Sequence, residues 1–191
     1  MLLMKDIIMD GHPTLRLRAK EVELPLNDED FNTLKSMMEL VVNSQDDELA
    51  EKYNLRPSVG IAAPQINISK KMFCIVAPDE QTGKVYQLAV VNPKIIAYSE
   101  EETYLPSGEG CLSVDEEITG LVRRSLRIRA KVTLVDLETK EETNGVIRLK
   151  GFPAIVFQHE YDHLLGVLFT DKIEDSINNA NPLAIGSSEE L

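Results

Sequence analysis

Two of the three histidines stand four residues apart, in Gln158-His159-Glu160-Tyr161-Asp162-His163. Four residues is about one turn of α-helix, so both imidazoles project from one face and can ligate a single divalent cation. Glu160 follows the first of them and can reach water beside such a cation as a general base. The alternative is two unrelated histidines on an amphipathic helix, with the glutamate between them by chance. The third histidine, His12, sits in Asp10-Gly11-His12-Pro13 and reads as part of a turn.

Two imidazoles do not complete a catalytic metal site, which ordinarily takes three protein ligands and leaves one position open. One peptidase pattern continues with a glycine and a third histidine. Gly166 falls at the right place, but the last position is Phe169, which cannot ligate. Glu174 is available downstream. Upstream, Glu109-Gly110-Cys111-Leu112-Ser113 sets a cysteine beside a permissive glycine, between expected strands. A cation there would hold the sulfur as a thiolate. The other cysteine, Cys74, lies within Phe73-Cys74-Ile75-Val76 and reads as a small buried apolar residue. Two cysteines do not make a disulfide framework.

Together with Ser58-Val59-Gly60-Ile61-Ala62-Ala63-Pro64-Gln65, these segments resemble the three motifs of the peptide deformylase family, in the same order. The resemblance extends to about Glu174, and the long stretch between Leu112 and Arg127 is similar to the longer-loop bacterial class. Ser58 departs from the family's first glycine; it is harmless unless that position needs φ > 0. The resemblance implies a hydrolase that removes the formyl group from N-terminal formyl-methionine of new polypeptides and releases formate. It implies Cys111, His159 and His163 as metal ligands, Glu160 as the catalytic base, and Gln65 and the Leu112 N–H as oxyanion donors. Val59, Phe152, Ile155 and Val156 would line a slot for methionine, with His159 beside it. An extended peptide would add to Val59-Gly60 and Glu109-Gly110. Glu109 would also pair with Arg124 and hold the Cys111 loop. The implied cation is Fe²⁺ in the cell, with Zn²⁺, Ni²⁺ or Co²⁺ as substitutes; the donor set alone suggests zinc. A zinc peptidase and a binding module with a structural metal are the competing readings. Phe169, the upstream cysteine motif and the lack of an obvious fourth ligand argue against them.

The elements that must position these residues follow from periodicity. Asn27 reads as a helix cap before Asp28-Glu29-Asp30, and Phe31, Leu34, Met37, Met38, Val41 and Val42 then recur at helical spacing to about Asn43. A short helix is expected over 46–53. Strands are expected over 59–63, 72–77, 87–91, 95–98 and 127–135, and a helix over 153–165. Helix, then strands, then helix points to an α+β fold, with antiparallel or mixed β-sheets around a central metal-binding helix that carries His-Glu-x-x-His. The 191 residues suit a single catalytic domain, with a polar, loosely ordered tail from about Asp175.

With 20 Lys and Arg against 32 Asp and Glu, the net charge is −12, which disfavours direct binding to nucleic acid. The cluster Arg123, Arg124, Arg127, Arg129 and Lys131 reads as alternating solvated strand positions. No apolar run suits a membrane span or a secretory signal, so a cytoplasmic protein is expected. Transient contact with the ribosome is left open by the resemblance, although no long basic C-terminal helix offers itself for it.

Overall fold

The structure, a computed structural model, describes residues 1–79, 81–115 and 118–184. The Asn27 side chain accepts a hydrogen bond from the Asp30 N–H and starts α1 (Asp28–Ser44). Three carboxylates occupy the first turn, where the positive end of the helix dipole favours them. Leu34, Met37, Met38 and Val41 are buried as their spacing predicts, but Val42, expected with them, is 40% exposed. It lies about 100° round the helix from Val41 and leaves the core face. Asp46 caps α2 (Asp47–Tyr53) in the same way, accepting from the Leu49 N–H.

The remaining elements are β1 (Gly60–Ala62), β2 (Met72–Asp79), β3 (Lys84–Tyr98), β4 (Glu102–Tyr104), β5 (Leu121–Val122), β6 (Arg124–Ser125), β7 (Arg127–Val135), β8 (Glu142–Lys150), α3 (Phe152–Leu164), β9 (Ile173–Glu174) and β10 (Asn181–Pro182). The order β1-β2-β3-β7-β8 makes an antiparallel sheet. A second sheet, β10-β4-β6, is mixed, and β5 pairs with β9. The fold is thus α+β with antiparallel and mixed sheets.

Two expected strands, 87–91 and 95–98, are one. The Asn92-Pro93 pair reads as a turn, but Asn92 takes a left-handed φ of 49° at a bulge inside β3. Its side chain accepts from the Val22 N–H and donates to the Val22 carbonyl, both at 2.8 Å, so the kink is tied down rather than turned back. Strand β8 was not expected. It is an edge strand with mostly exposed side chains, so it lacks the apolar alternation that marks a half-buried strand.

Six consecutive residues of β2, Met72 to Ala77, are buried, because the strand is covered on both faces. Met72, Cys74 and Val76 pack with Leu34, Met37 and Val41 of α1. Phe73, Ile75 and Ala77 pack with Ala154, Val156 and Phe157 of α3. The Phe73 and Phe157 rings meet edge to face, 4.9 Å between centroids, a contact worth about 1 kcal/mol beyond its buried area. On its other side α3 is tied to β6, where Gln158 Oε1 accepts from the Ser125 N–H (3.1 Å) and Nε2 donates to the Ser125 carbonyl (2.9 Å). The helix therefore makes contacts with both the large sheet and the small one. The described part of the polar tail, to Ala184, includes β10, which pairs with β4; residues 185–191 lie outside the described residues.

Candidate active site

Helix α3 begins after Gly151, whose φ of 64° turns the chain, and Pro153 supplies a fixed φ in its first turn. It ends at Leu164, just before Gly166, whose φ is 75° and where a Cβ would meet the Arg16 carbonyl oxygen at 2.6 Å. Between these glycines His163 is buried and His159 nearly so. The loop before β5 brings Cys111 to them. One donor atom from each of Cys111, His159 and His163 lies within 4.8 Å of the others, and Cys111 Sγ is 3.4 Å from His163 Nε2.

A chain of ion pairs orients the first histidine. His159 Nδ1 donates to Glu109 Oε2 at 2.8 Å, which leaves Nε2 for the ligand cluster. Glu109 accepts two hydrogen bonds from Arg124, from Nε at 2.7 Å and Nη2 at 2.8 Å. Arg124 Nη1 reaches Asp162 Oδ2 at 2.5 Å, and Asp162 takes Lys172 Nζ at 2.7 Å. Burial works against the Glu109 carboxylate, but hydrogen bonds from Arg124 and His159 overcome it and hold its pKa at about 2. Burial also disfavours charge on His159, yet Cys111 and Glu109 raise its proton affinity well above the ordinary value. His163 is pushed well below that value, by burial first and then by the charges of His159 and Arg124. The Glu109 carboxylate behind His159 would also favour a cation among the three donor atoms.

Glu160 points from the same helix toward β1. Burial pushes its pKa up to about 7; the His159 charge lowers it and Glu109 raises it. Its Oε2 is buried and, among the described residues, has no hydrogen-bond partner. Gly60 makes the space: a Cβ there would stand 2.5 Å from Glu160 Oε1. Gln65 accepts the Ala62 N–H at Oε1 (2.9 Å), which aims its Nε2 at Cys111 Sγ (3.4 Å) and Ser113 Oγ (3.3 Å). Ser58 is not among the residues with positive φ, so serine is unstrained there. Its hydroxyl donates to the Gly60 carbonyl at 2.6 Å.

A cavity of about 570 Å³ opens on these groups. Val59, Gly60, Glu109, Gly110, Phe152, Ile155 and Val156, the residues expected around a substrate, all line it, with Gln65, Cys111, Leu112, His159 and Glu160. Arg124 lies behind, against Glu109. Sequence reasoning missed two neighbours. Phe169, noted only as unable to ligate, stacks on the His159 ring at 6.0 Å between centroids. Arg56, in the segment before β1, belongs to no motif yet also borders the cavity. The basic cluster divides: Arg127, Arg129 and Lys131 are exposed on β7 as expected, but Arg124 is buried. Arg123 pairs with Glu174 and Glu102 rather than facing water alone. That pairing holds Glu174 at β9, outside the ligand cluster.

The model of the polypeptide deformylase family matches residues 4–179. The peptide deformylase of Staphylococcus epidermidis is 55% identical over 175 residues, 91% of this chain and 92% of its own. Peptide deformylase 2 of Bacillus subtilis is 58% identical over 174 residues, 91% of each. The crystal structure of peptide deformylase from Thermotoga maritima superposes with a TM-score of 0.64 at 34% identity, covering 88% of this chain and 96% of that one. With the family model spanning residues 4–179 and these relatives covering 88–91% of it, the chain belongs to the polypeptide deformylase family.

Proposed function

We propose that the chain is a metal-dependent hydrolase that removes the formyl group from N-terminal formyl-methionine of newly made polypeptides and releases formate. The observation that carries this is the cluster of Cys111, His159 and His163 beside an unpartnered carboxylate oxygen of Glu160, with Cys111, His159 and Glu160 lining one cavity. One thiolate and two imidazoles suit a borderline-soft divalent ion, and three protein ligands leave a position open. The reading favours Fe²⁺ in the cell, with Zn²⁺, Ni²⁺ or Co²⁺ able to replace it. When bound, such an ion supplies Lewis-acid chemistry, acidifying water and polarising the formyl carbonyl.

The chain's own residues do the rest. Glu160 takes a proton from the attacking water at its carboxylate, and the water oxygen bonds to the formyl carbon. Gln65 Nε2 and the Leu112 N–H donate to the oxyanion that develops; one such donor is typically worth ~3 kcal/mol. Glu160 then passes its proton to the departing nitrogen as the C–N bond breaks, leaving formate and a free N-terminus. Phe152, Ile155, Val156 and Val59 offer the methionine an apolar wall. β1 ends the large sheet, so its outer edge can take an extended peptide along Val59-Gly60, opposite Glu109-Gly110. Among the described residues no helix is long and apolar enough to cross a membrane. The reading places the enzyme in the cytoplasm, on nascent chains as they leave the ribosome.

A formyl carbon carries only hydrogen, so it needs less room beside Gly60, Gln65 and Cys111 than an acetyl carbon does. Formyl-Met-Ala-Ser is expected to release formate while the acetyl-Met peptide is hardly hydrolysed. Equal rates on both, or cleavage at internal peptide bonds, would refute the deformylase reading. Gly60→Ala should lower kcat at least tenfold without loss of metal, because its methyl group displaces the Glu160 carboxylate. Unchanged formate release in that variant would mean that Glu160 need not sit where the structure holds it.

A further inference from the structure

Arg56 lies between α2 and β1. Its Nη2 donates to the carbonyls of Cys111 (3.2 Å) and Val114 (3.0 Å). Its Nη1 donates to the carbonyl of Leu112 (3.3 Å) and to Asp115 Oδ1 (3.0 Å). Three carbonyls of one short stretch thus converge on a single guanidinium, and they belong to the loop that carries the candidate thiolate. The Cys111 carbonyl also accepts from the Val114 N–H at 3.2 Å.

The Cys111 carbonyl and the Leu112 N–H are the two ends of one peptide group. Peptide resonance couples them, so positive charge held at the oxygen draws density from the nitrogen and strengthens the N–H as a donor. Among the described residues the Leu112 N–H has no backbone acceptor, and Leu112 lines the cavity.

We propose that Arg56 is a positioning residue for deformylation: it fixes the 111–114 loop and polarises the 111–112 peptide group, so that the Leu112 N–H holds the oxyanion more tightly than an ordinary amide does. The inference rests on the assignment of that N–H to the oxyanion. The ion pair with Asp115 is incidental, since the Asp115 side chain is 76% exposed and such pairs contribute little. Charge on the substrate oxygen develops only in the transition state, so the effect falls on kcat and spares KM.

The test uses the zinc-loaded enzyme, as parent, Arg56→Met, Arg56→Lys and Asp115→Asn. It measures formate release from formyl-Met-Ala-Ser and the ¹H–¹⁵N resonance of the Leu112 amide. Arg56→Met is expected to lower kcat about tenfold, less than loss of the donor itself, with KM within about twofold. Its Leu112 nitrogen should move upfield. Arg56→Lys keeps the charge without the planar fork and should recover part of both changes. Asp115→Asn should stay within about twofold of the parent. The proposal is overturned by an unmoved resonance, by an unchanged kcat, or by a loss that appears in KM. It is equally overturned if Arg56→Met sheds its zinc or melts well below the parent, for Arg56 is then a structural clasp. If Asp115→Asn matches Arg56→Met, the ion pair and not the carbonyl contacts carries the effect. A parent that releases no formate refutes the deformylase reading itself, and is distinguished by being measured first.

Discussion

Glu160→Gln is expected to keep its metal and its fold while formate release falls about a thousandfold or more. Glu160 is almost fully buried, and glutamine has nearly its shape, so the space beside Gly60 remains filled. What disappears is basicity. The amide cannot take a proton from water or return one to the departing nitrogen, and general acid–base catalysis is typically worth ~10²–10⁴-fold. A single group that serves both transfers places the loss toward the upper end. The variant should melt only slightly below the parent, since one buried donor is left to find a partner, at a cost of about 1–3 kcal/mol. The measurement is formate release by parent and variant, with metal content and thermal unfolding on the same samples. Turnover within about threefold of the parent, metal retained, would remove Glu160 from the mechanism.

Cys111→Ala is expected to lose most of its metal on gel filtration and nearly all activity, whereas Cys74→Ala should retain both. The two thiols differ in surroundings. Cys111 stands 3.4 Å from His163 Nε2 and accepts from Gln65. Cys74 lies between β2 and α1, donates to the Leu34 carbonyl, and burial pushes its pKa up. Removing its sulfur leaves a small void, so Cys74→Ala should cost about 1 kcal/mol of stability while leaving the site untouched. Metal per chain in the two variants decides the matter. Parent-like content in Cys111→Ala would mean that the sulfur is no ligand. Glu174, held by Arg123 on β9, would then have to leave that pair to replace it.

The positions brought to the cavity were legible because each lies in a short segment whose residue types are tied to a chemical task. His159 and His163 share a helix face at any register, whereas the room that Gly60 leaves for Glu160 shows only in the fold. α1 was legible because Asn27 is a strong cap ahead of an apolar helical period, whereas the Asp46 cap of α2 shows only in the structure. Arg56 was not, because its partners are backbone carbonyls, which every residue carries and no pattern reveals. Arg124 was legible only through the family resemblance. Within its own run of cations nothing separates it from Arg127, and only the fold turns one inward to Glu109 and Asp162 and the other to water. β8 escaped because an exposed edge strand needs no apolar alternation, and β3 was split because an asparagine at a bulge looks like one at a turn.

The Lys172–Asp162–Arg124–Glu109–His159 chain bears on how a bound ion would be held. The imidazole is aimed by Glu109, Glu109 by Arg124, and Arg124 by an aspartate on the same helix as the imidazole, so the loop is closed within the protein. The socket is therefore cut by the fold rather than moulded by its contents. If the proposed function holds, one first-row ion would be exchangeable for another without rebuilding these surroundings. Apo and metal-loaded protein should then hold His159 in the same orientation, because its aim comes from Glu109 and not from the ion.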